Sequence, residues 1–274
     1  MKKVGIIGYG NMGEAIAEGL KKRFNLIIFD RDLNKTQKLK RISVAENVQA
    51  LVRECEVIIL AVKPQDFPEL LENIKNFSQG KLFLSIAAGI STEYIEKKLP
   101  GVRVVRVMPN LGIKIRKSVT SVSKGKSGQD KDLDFAKKLF SYLGVVKEID
   151  ESLMNKVTAV SGSGPGFIFY FLENRANFPL KFKRSVKVFF IKELKKGAEK
   201  VGFNREEAKF LAEETVDSSF LLLKKTKILP RDLRIKVASK GGTTEAGLKV
   251  MYDGGTFEEA IKAAVKRAEE LAMK

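Results

Sequence analysis

The chain has 274 residues, 44% of them hydrophobic, and its 51 Lys and Arg against 33 Asp and Glu give a formal net charge of +18 at pH 7. This length predicts one large domain or two ordinary ones, with enough chain to bury a core. Histidine is absent and Cys55 is the only cysteine, which excludes intrachain disulfides, histidine metal sites and every mechanism that needs an imidazole.

The first 150 residues alternate short apolar runs with amphipathic segments. We predict strands at 4–8, 25–30, 56–62, 81–87, 103–108, 118–123 and 145–149. We predict helices at 11–22, 33–41, 47–53, 66–77 and 129–143. Several strands are continuously apolar, as expected for parallel strands buried on both faces. Since crossovers between parallel strands are right-handed, residues 1–150 are predicted to form an α/β domain with a doubly wound, mostly parallel sheet.

After about residue 150 the strand pattern ends, and residues 151–274 are predicted to form an all-helical domain. Its helices are predicted at 152–174, 185–201, 205–225, 231–237, 244–252 and 257–273. Asn204 is predicted as an N-cap, with Glu207 completing a capping box. The stretch 180–188 fits a strand in part and a helix in part, and we favour a helix from Ser185. With no linker between them, we expect the two domains to abut and share a cleft.

A G-x-G-x-x-G pattern, formed by Gly8, Gly10 and Gly13, follows the first strand and opens the first helix. Gly8 permits a tight turn, Gly10 lets the backbone approach a pyrophosphate, and Gly13 lets the helix pack closely on the strand. The N–H groups at the helix start, in the Gly8 to Gly13 turn that includes Asn11 and Met12, would bind the phosphates. This context predicts a dinucleotide site; the alternative is a tight turn with no ligand.

The second strand ends at Asp30, 17 residues after Gly13, and Arg31 follows. An acidic residue here would accept the ribose hydroxyls of NAD, whereas an adjacent arginine would pair with the 2′-phosphate of NADP. The pattern therefore supports either nucleotide, and the alternative is an exposed charged turn. Because Arg31 can bond a 2′-phosphate that Asp30 repels, we expect a modest preference for NADPH.

Six motifs together resemble Δ1-pyrroline-5-carboxylate reductase in order and spacing. They are KKVGIIGYGNMGEAIAEGL (2–20), AVKPQ (61–65), SIAAGI (85–90), VVRVMPN (104–110), AVSGSGPGFIF (159–169) and KGGTTEAGLKVM (240–251). The resemblance implies NAD(P)H-dependent reduction of a cyclic imine to L-proline. It also implies a Rossmann domain followed by a helical dimerisation domain, an active site between them, and homodimers that can assemble further.

The resemblance also implies roles for individual residues. The Gly8 to Gly13 turn would hold the pyrophosphate. The cofactor groove at the end of the third long strand would be lined by Ala61, Val62, Lys63 and Pro64. Residues towards the nicotinamide would be Ala87, Ala88, Met108 and Asn110, with Asn110 also among the substrate-binding residues. The substrate carboxylate and ring would be received by Ser239, Gly242, Thr243 and Thr244.

Hydride transfer to a protonated imine suits a chain without histidine, because the protein needs mainly to position its ligands. Thr244 is the candidate catalytic hydroxyl near the imine nitrogen, with a helix cap as its alternative role. In SGSGP (161–165), ligand contact and a helix kink remain alternatives.

Two other functions stay open. Leu111 follows the MPN motif where the family commonly has threonine, and Lys240 stands where it usually has proline. A divergent imine or keto-acid oxidoreductase would fit these departures. So would a nucleotide-sensing protein without turnover.

Location and partners follow from what the sequence lacks. It contains no run of about 20 apolar residues and no secretory signal, so we predict a cytoplasmic protein without membrane contact. No nucleic-acid motif accompanies the positive charge, so no nucleic-acid partner is expected. Apolar stripes on two later helices predict that they carry a dimer interface. The stripes are Leu211, Val216, Phe220 and Leu223 on one helix and Ile261, Ala264, Ala268 and Leu271 on the other.

Overall fold

The computed structural model describes residues 2–37, 39, 42–173 and 183–272. The chain forms two compact units. Unit 1 comprises Met1–Met108 and Thr120–Glu151, and unit 2 comprises Pro109–Val119 and Ser152–Lys274. This differs from the predicted division after residue 150 by one residue, Glu151, and by the segment Pro109–Val119. Pro109–Val119 belongs with the helices because Gly112 packs closely on α9 (Arg205–Thr226), where a Cβ added to Gly112 would lie 1.9 Å from the Ser218 Oγ.

Among the described residues, the core of unit 1 is a sheet of eight strands. They are β1 (Lys3–Ile7), β2 (Asn25–Phe29), β3 (Ser43–Val44), β4 (Val57–Leu60), β5 (Leu82–Ser85), β6 (Arg103–Met108), β7 (Ser118–Lys124) and β8 (Gly144–Glu148). Their order is β3-β2-β1-β4-β5-β6-β7-β8. The pairs from β3 through β6 are parallel, and β7 is antiparallel to β6. The predicted mostly parallel, doubly wound sheet is confirmed.

The chain leaves β1 towards β2 and β3 and then returns to β4 on the other side of β1. Ligands of such sheets bind beyond the carboxyl ends of the strands at this reversal. Helices α1 (Asn11–Leu20), α2 (Val48–Glu54), α3 (Phe67–Ile74), α4 (Thr92–Lys98) and α5 (Asp130–Ser141) connect the strands. Buried side chains such as Phe67, Leu71 and Phe83 form the core and fix the strand ends in place.

Local predictions in unit 1 differ from the structure at three elements. Strand β3 was not predicted. Residues 38, 40 and 41 of the helix predicted at 33–41 lie outside the described residues; the described part has only a 3-10 turn at Leu33–Lys35, which the Asp32 side chain caps by accepting from the Asn34 N–H at 3.2 Å. Helix α4 was not predicted; it begins where the Ser91 Oγ accepts from the Tyr94 N–H at 3.1 Å.

Unit 2 is helical in its described residues from 152 onward. Its helices are α6 (Met154–Val157), α7 (Gly164–Glu173), α8 (Lys183–Lys200), α9, α10 (Pro230–Val237), α11 (Thr243–Tyr252) and α12 (Phe257–Ala272). The Asn204 capping box is confirmed, and helix rather than strand covers the described part of 180–188. Residues 174 and 273 of the predicted helices, and residues 180–182 of the ambiguous stretch, lie outside the described residues.

The predicted single helix at 152–174 is interrupted. Thr158–Gly162 forms a π-helical turn between α6 and α7, in which the Ser163 N–H donates to the Thr158 carbonyl at 2.8 Å. Pro165 has no N–H to continue the pattern from the preceding turn. The SGSGP segment therefore changes the helical geometry, as one of its two interpretations expected.

The apolar stripes expected to carry a dimer interface are largely internal. Leu211 and Val216 on α9, and Ile261 and Ala264 on α12, are all fully buried within the single chain. They pack against neighbouring helices, so they cannot supply the surface for a second copy. Within the described residues, no helix is both long and apolar enough to cross a membrane.

Candidate active site

The β1–α1 turn has the geometry that its glycines predict. Gly8 has a φ of +99°, and a Cβ there would lie 2.6 Å from the Ala61 carbonyl oxygen. A Cβ on Gly13 would lie 2.0 Å from the Gly8 carbonyl oxygen. Both positions exclude any other residue without backbone movement. The turn is therefore held by contacts between backbones.

Gly10 differs from the two glycines that flank it, because nothing lies within 4 Å of a Cβ placed on it. It is the N-cap of α1 and provides no side-chain cap, so the first N–H groups of the helix have no intrahelical acceptor. An open space beside those N–H groups suits a phosphate. The residues present therefore fit the pyrophosphate of a dinucleotide.

Asp30, at the carboxyl end of β2, is buried and engaged by neighbouring groups. Its Oδ2 accepts from the Tyr9 N–H at 2.6 Å. Its Oδ1 accepts from the Asp32 N–H at 2.9 Å and the Lys35 Nζ at 3.1 Å. Burial raises the pKa of the Asp30 carboxyl, but these hydrogen bonds and the Lys35 charge outweigh it and hold the pKa below its ordinary value. Asp30 is therefore a fixed negative charge, not part of an exposed charged turn.

A cavity of about 480 Å³ lies beyond the carboxyl ends of β1, β2 and β4. It brings together these predicted cofactor residues: Gly8, Gly10, Asp30, Arg31, Ala61, Val62 and Lys63. Sequence reasoning missed Lys35 and Asp66, which also line it. Asp66 accepts from Arg31 at 3.0 Å. No signal in the sequence pairs these two residues, which lie 35 positions apart.

The other predicted cofactor residues do not line this cavity. Asn11, Met12 and Gly13 begin α1 beside it, and Pro64 opens a 3-10 turn after β4. Ala87 and Ala88 follow β5, and Met108 ends β6.

A second glycine turn opens α11 in unit 2. Gly242 is its N-cap, again without a side-chain cap, and the Gly242 N–H donates to the Ser239 carbonyl at 2.9 Å. A Cβ on Gly242 would lie 2.3 Å from the Ser239 Oγ. The preceding Gly241 is held by Glu245, which accepts its N–H at 2.7 Å, and by Arg267, which donates to its carbonyl at 2.8 Å. The first N–H groups of α11 have no intrahelical acceptor and form a candidate anion site.

Three buried hydroxyls meet at this turn. The Thr244 Oγ1 donates to the Ser163 Oγ at 3.0 Å, and the Ser163 Oγ lies 3.0 Å from the Thr243 Oγ1. The structure thus brings both predicted threonines together with a serine 80 residues away, whose role sequence reasoning did not assign. Because Thr244 gives its hydrogen to Ser163, the Thr244 oxygen keeps lone pairs with which it can accept.

Asn110 is buried and serves as a local cap. Its Oδ1 accepts from the N–H groups of Gly112 at 3.1 Å and Val119 at 3.2 Å. These bonds fix the amide orientation, and the Asn110 Nδ2 has no hydrogen-bond partner among the described residues. A buried donor without a partner is costly, which makes this nitrogen a candidate ligand contact.

Two family models match parts of this chain, and a relative matches all of it. Residues 3–89 match the family described as "NADP oxidoreductase coenzyme F420-dependent", and residues 186–271 match "Pyrroline-5-carboxylate reductase dimerisation". The pyrroline-5-carboxylate reductase of Methanosarcina acetivorans is 34% identical, across 100% of this chain and 99% of its own. This chain belongs to the pyrroline-5-carboxylate reductase family.

Two other members of the pyrroline-5-carboxylate reductase family are similar to this chain over nearly its full length. The Aquifex aeolicus reductase is 31% identical over 99% of this chain and 97% of its own. The crystal structure of Plasmodium falciparum pyrroline carboxylate reductase with NADP bound has a TM-score of 0.65 and 26% identity, covering 99% of this chain and 98% of that one. The predicted family, the Rossmann fold with a helical dimerisation domain, and the nicotinamide dinucleotide class of cofactor are confirmed.

Proposed function

We propose that this protein catalyses the NAD(P)H-dependent reduction of Δ1-pyrroline-5-carboxylate to L-proline, the last step of proline biosynthesis. Membership of the reductase family over the full chain supports this function. The observation that carries it is the buried hydroxyl cluster of Ser163, Thr243 and Thr244 at the N-terminus of α11. This site offers N–H donors for a carboxylate and a hydroxyl acceptor for a protonated ring nitrogen.

The residues of unit 1 hold and orient the cofactor. The first-turn N–H groups of α1, beside Gly10, would hold its pyrophosphate, and Ala61 to Pro64, after β4, would also contact it. When bound, NAD(P)H supplies a hydride, which forms the new C–H bond at the imine carbon while the C=N π electrons become the amine lone pair. Ala87, Ala88 and Met108 are proposed as the residues of unit 1 that would lie towards its nicotinamide. Asn110, which belongs to unit 2, is proposed as a ligand contact through its Nδ2.

The residues of unit 2 hold the substrate. We assign its carboxylate to the first turn of α11, with Ser239, Gly242 and Thr243, and its ring nitrogen to the Thr244 Oγ1. Since the Thr244 hydrogen is directed at Ser163, the oxygen accepts the N–H of the protonated imine and stabilises the electrophilic form. This reaction needs no histidine, because the protein contributes mainly by positioning the substrate and the cofactor.

The decisive experiment follows absorbance at the nicotinamide band after pyrroline-5-carboxylate is mixed with the protein and either cofactor. We expect oxidation of both NADPH and NADH. Turnover only with other imines or keto acids would favour the divergent oxidoreductase. Nucleotide binding with no turnover on any of them, at high protein concentration, would favour the sensor.

Thr244 is tested by Thr244→Val, with Thr244→Ser as the matched control that keeps the hydroxyl. A hydrogen bond to a charged group contributes about 1.5–3 kcal/mol, so kcat/KM for the imine is expected to fall about 10- to 100-fold in the valine variant. The serine variant keeps most activity. Equal losses in the two variants would assign Thr244 to packing or capping.

We also propose that the chain is a homodimer through unit 2, and that its dimers can associate further. The match of residues 186–271 to the dimerisation family supports this. So do exposed large apolar side chains on its described helices, among them Val188, Ile235 and Tyr252. Light scattering is expected to give a dimer mass or a multiple of it. Ile235→Glu should shift the mass towards that of the monomer. Leu33→Glu, at a side chain of unit 1 that is equally exposed at 54%, should not shift it. Equal masses in both variants would remove the surface around Ile235 from the interface.

The predicted cytoplasmic location stays a prediction.

A further inference from the structure

Two ion pairs line the cavity of unit 1. Lys35 is bound to Asp30, and Arg31 is bound to Asp66. We propose that Asp66 is a specificity-determining residue: by holding Arg31 in an ion pair, it weakens binding of NADPH relative to NADH. This inference rests on the proposed use of a nicotinamide dinucleotide in this cavity.

Arg31 is the cation placed to recognise a 2′-phosphate. It directly follows the residue at the end of β2, the position that contacts the adenosine ribose in folds of this type. Its side chain is 74% exposed, so the guanidinium can reorient towards a phosphate. An arginine bonded to a carboxylate must first lose that partner, or share it, before it can bond the phosphate fully.

Asp30 is not the carboxylate that holds Arg31. Its two oxygens already accept from Tyr9, Asp32 and Lys35, and Lys35 balances its charge. The Asp66 carboxylate instead accepts from Arg31 and faces the same cavity. A ribose 2′-hydroxyl leaves the Arg31–Asp66 pair intact. A 2′-phosphate competes with Asp66 for Arg31, so the ion pair acts against NADPH alone.

The test compares Asp66→Asn with the wild type in calorimetric binding of adenosine 2′,5′-bisphosphate and 5′-AMP, which differ only in the 2′-phosphate. An exposed ion pair contributes about 0.2–1 kcal/mol, so the variant is expected to bind the bisphosphate about 1.4- to fivefold more tightly. Binding of 5′-AMP should not change. Asp66 makes no capping hydrogen bond to α3, so the substitution should not unfold the helix.

A double-mutant cycle isolates the pair. Arg31→Ala should weaken binding of the bisphosphate, and adding Asp66→Asn to it should produce no further gain. Glu69→Gln, which neutralises another carboxylate lining the cavity, is the matched control for a general field effect and should give a smaller change. The inference is overturned if Asp66→Asn leaves bisphosphate binding unchanged or weaker, if its gain persists without Arg31, or if Glu69→Gln matches it.

These measurements need no turnover. A protein that binds both fragments as expected but reduces no imine would refute the proposed reductase and leave the role of Asp66 standing. In an active enzyme, the ratio of kcat/KM for NADPH to that for NADH should rise by the same factor in Asp66→Asn.

Discussion

Helix α1 of unit 1 and helix α11 of unit 2 both begin at a glycine N-cap with no side-chain cap. They differ in what holds the turn. At α1 the two nearest neighbours of a Cβ placed on Gly8 or on Gly13 are backbone atoms. At α11 the turn is held by side chains, because Glu245 and Arg267 bind Gly241, and Ser163 binds the two threonines. A glycine packed against backbone atoms cannot be replaced without moving the backbone. A turn held by side chains can instead be weakened by single substitutions of those side chains.

The largest effect that we expect is at Gly13. A Cβ there meets the Gly8 carbonyl at 2.0 Å, and neither backbone can yield cheaply, so Gly13→Ala should lower the free energy of unfolding by about 3 kcal/mol. Gly10→Ala is the matched control, since its Cβ enters open space. It should stay within about 1 kcal/mol of the wild type while weakening nucleotide binding, because the Cβ fills the space beside the N–H groups. Urea denaturation measures both, and equal stability of the two variants would contradict backbone control of this turn.

The difference between the α1 turn and the α11 turn also explains how much of each could be predicted from the sequence. The G-x-G-x-x-G turn and its strand and helix lie within one short segment, so their geometry follows from local pattern. The partners at α11 lie far apart in sequence: Ser163 is 80 residues from Thr243, and Arg267 is 26 residues from Gly241. The π-helical turn that presents Ser163 gave no periodic signal distinct from an ordinary helix. Residue types and motifs predicted the fold and the two turns, but not the long-range hydrogen bonds that hold the second.

An intermediate effect is expected at Asp30, whose side chain supports the α1 turn by accepting from the Tyr9 N–H. The folded structure holds the Asp30 pKa below its ordinary value, so its stabilisation is present above the ordinary pKa of an aspartate and is lost as pH falls through the lower folded-state value. Asp30→Asn should lower the free energy of unfolding by about 2 kcal/mol at pH 7, and the difference should shrink as the wild type is acidified.

Asp32→Asn is the comparison variant, because Asp32 is exposed and caps a single 3-10 turn. Its effect at pH 7 should be under about 1 kcal/mol. Denaturation curves collected from pH 7 down to pH 3 measure both variants. If the Asp30→Asn difference were independent of pH over the whole range, the carboxylate charge would not be the source of the stabilisation.

The smallest effects test the side-chain control of the α11 turn. Ser163→Ala removes the acceptor of the Thr244 hydrogen, so the Thr244 hydroxyl can rotate. When its hydrogen points at the imine nitrogen, the Thr244 oxygen no longer accepts the N–H of the protonated imine. The free energy of unfolding should fall by about 1 kcal/mol. The kcat for the imine should fall about tenfold, which corresponds to a loss of about 1.4 kcal/mol of transition-state stabilisation. The affinity for adenosine 2′,5′-bisphosphate should stay unchanged.

Ser161→Ala is the matched control for Ser163→Ala, two residues earlier in the π-helical turn. The Ser161 Oγ is fully buried and has no hydrogen-bond partner among the described residues. Removing a buried hydroxyl that has no partner relieves a desolvation cost, so Ser161→Ala should be neutral or slightly stabilising and should leave kcat unchanged. Matching losses of kcat in the two variants would mean that the turn responds to any cavity in this segment. A loss confined to Ser163→Ala, and absent from Ser163→Cys because the thiol can still accept weakly, would assign Ser163 to positioning Thr244.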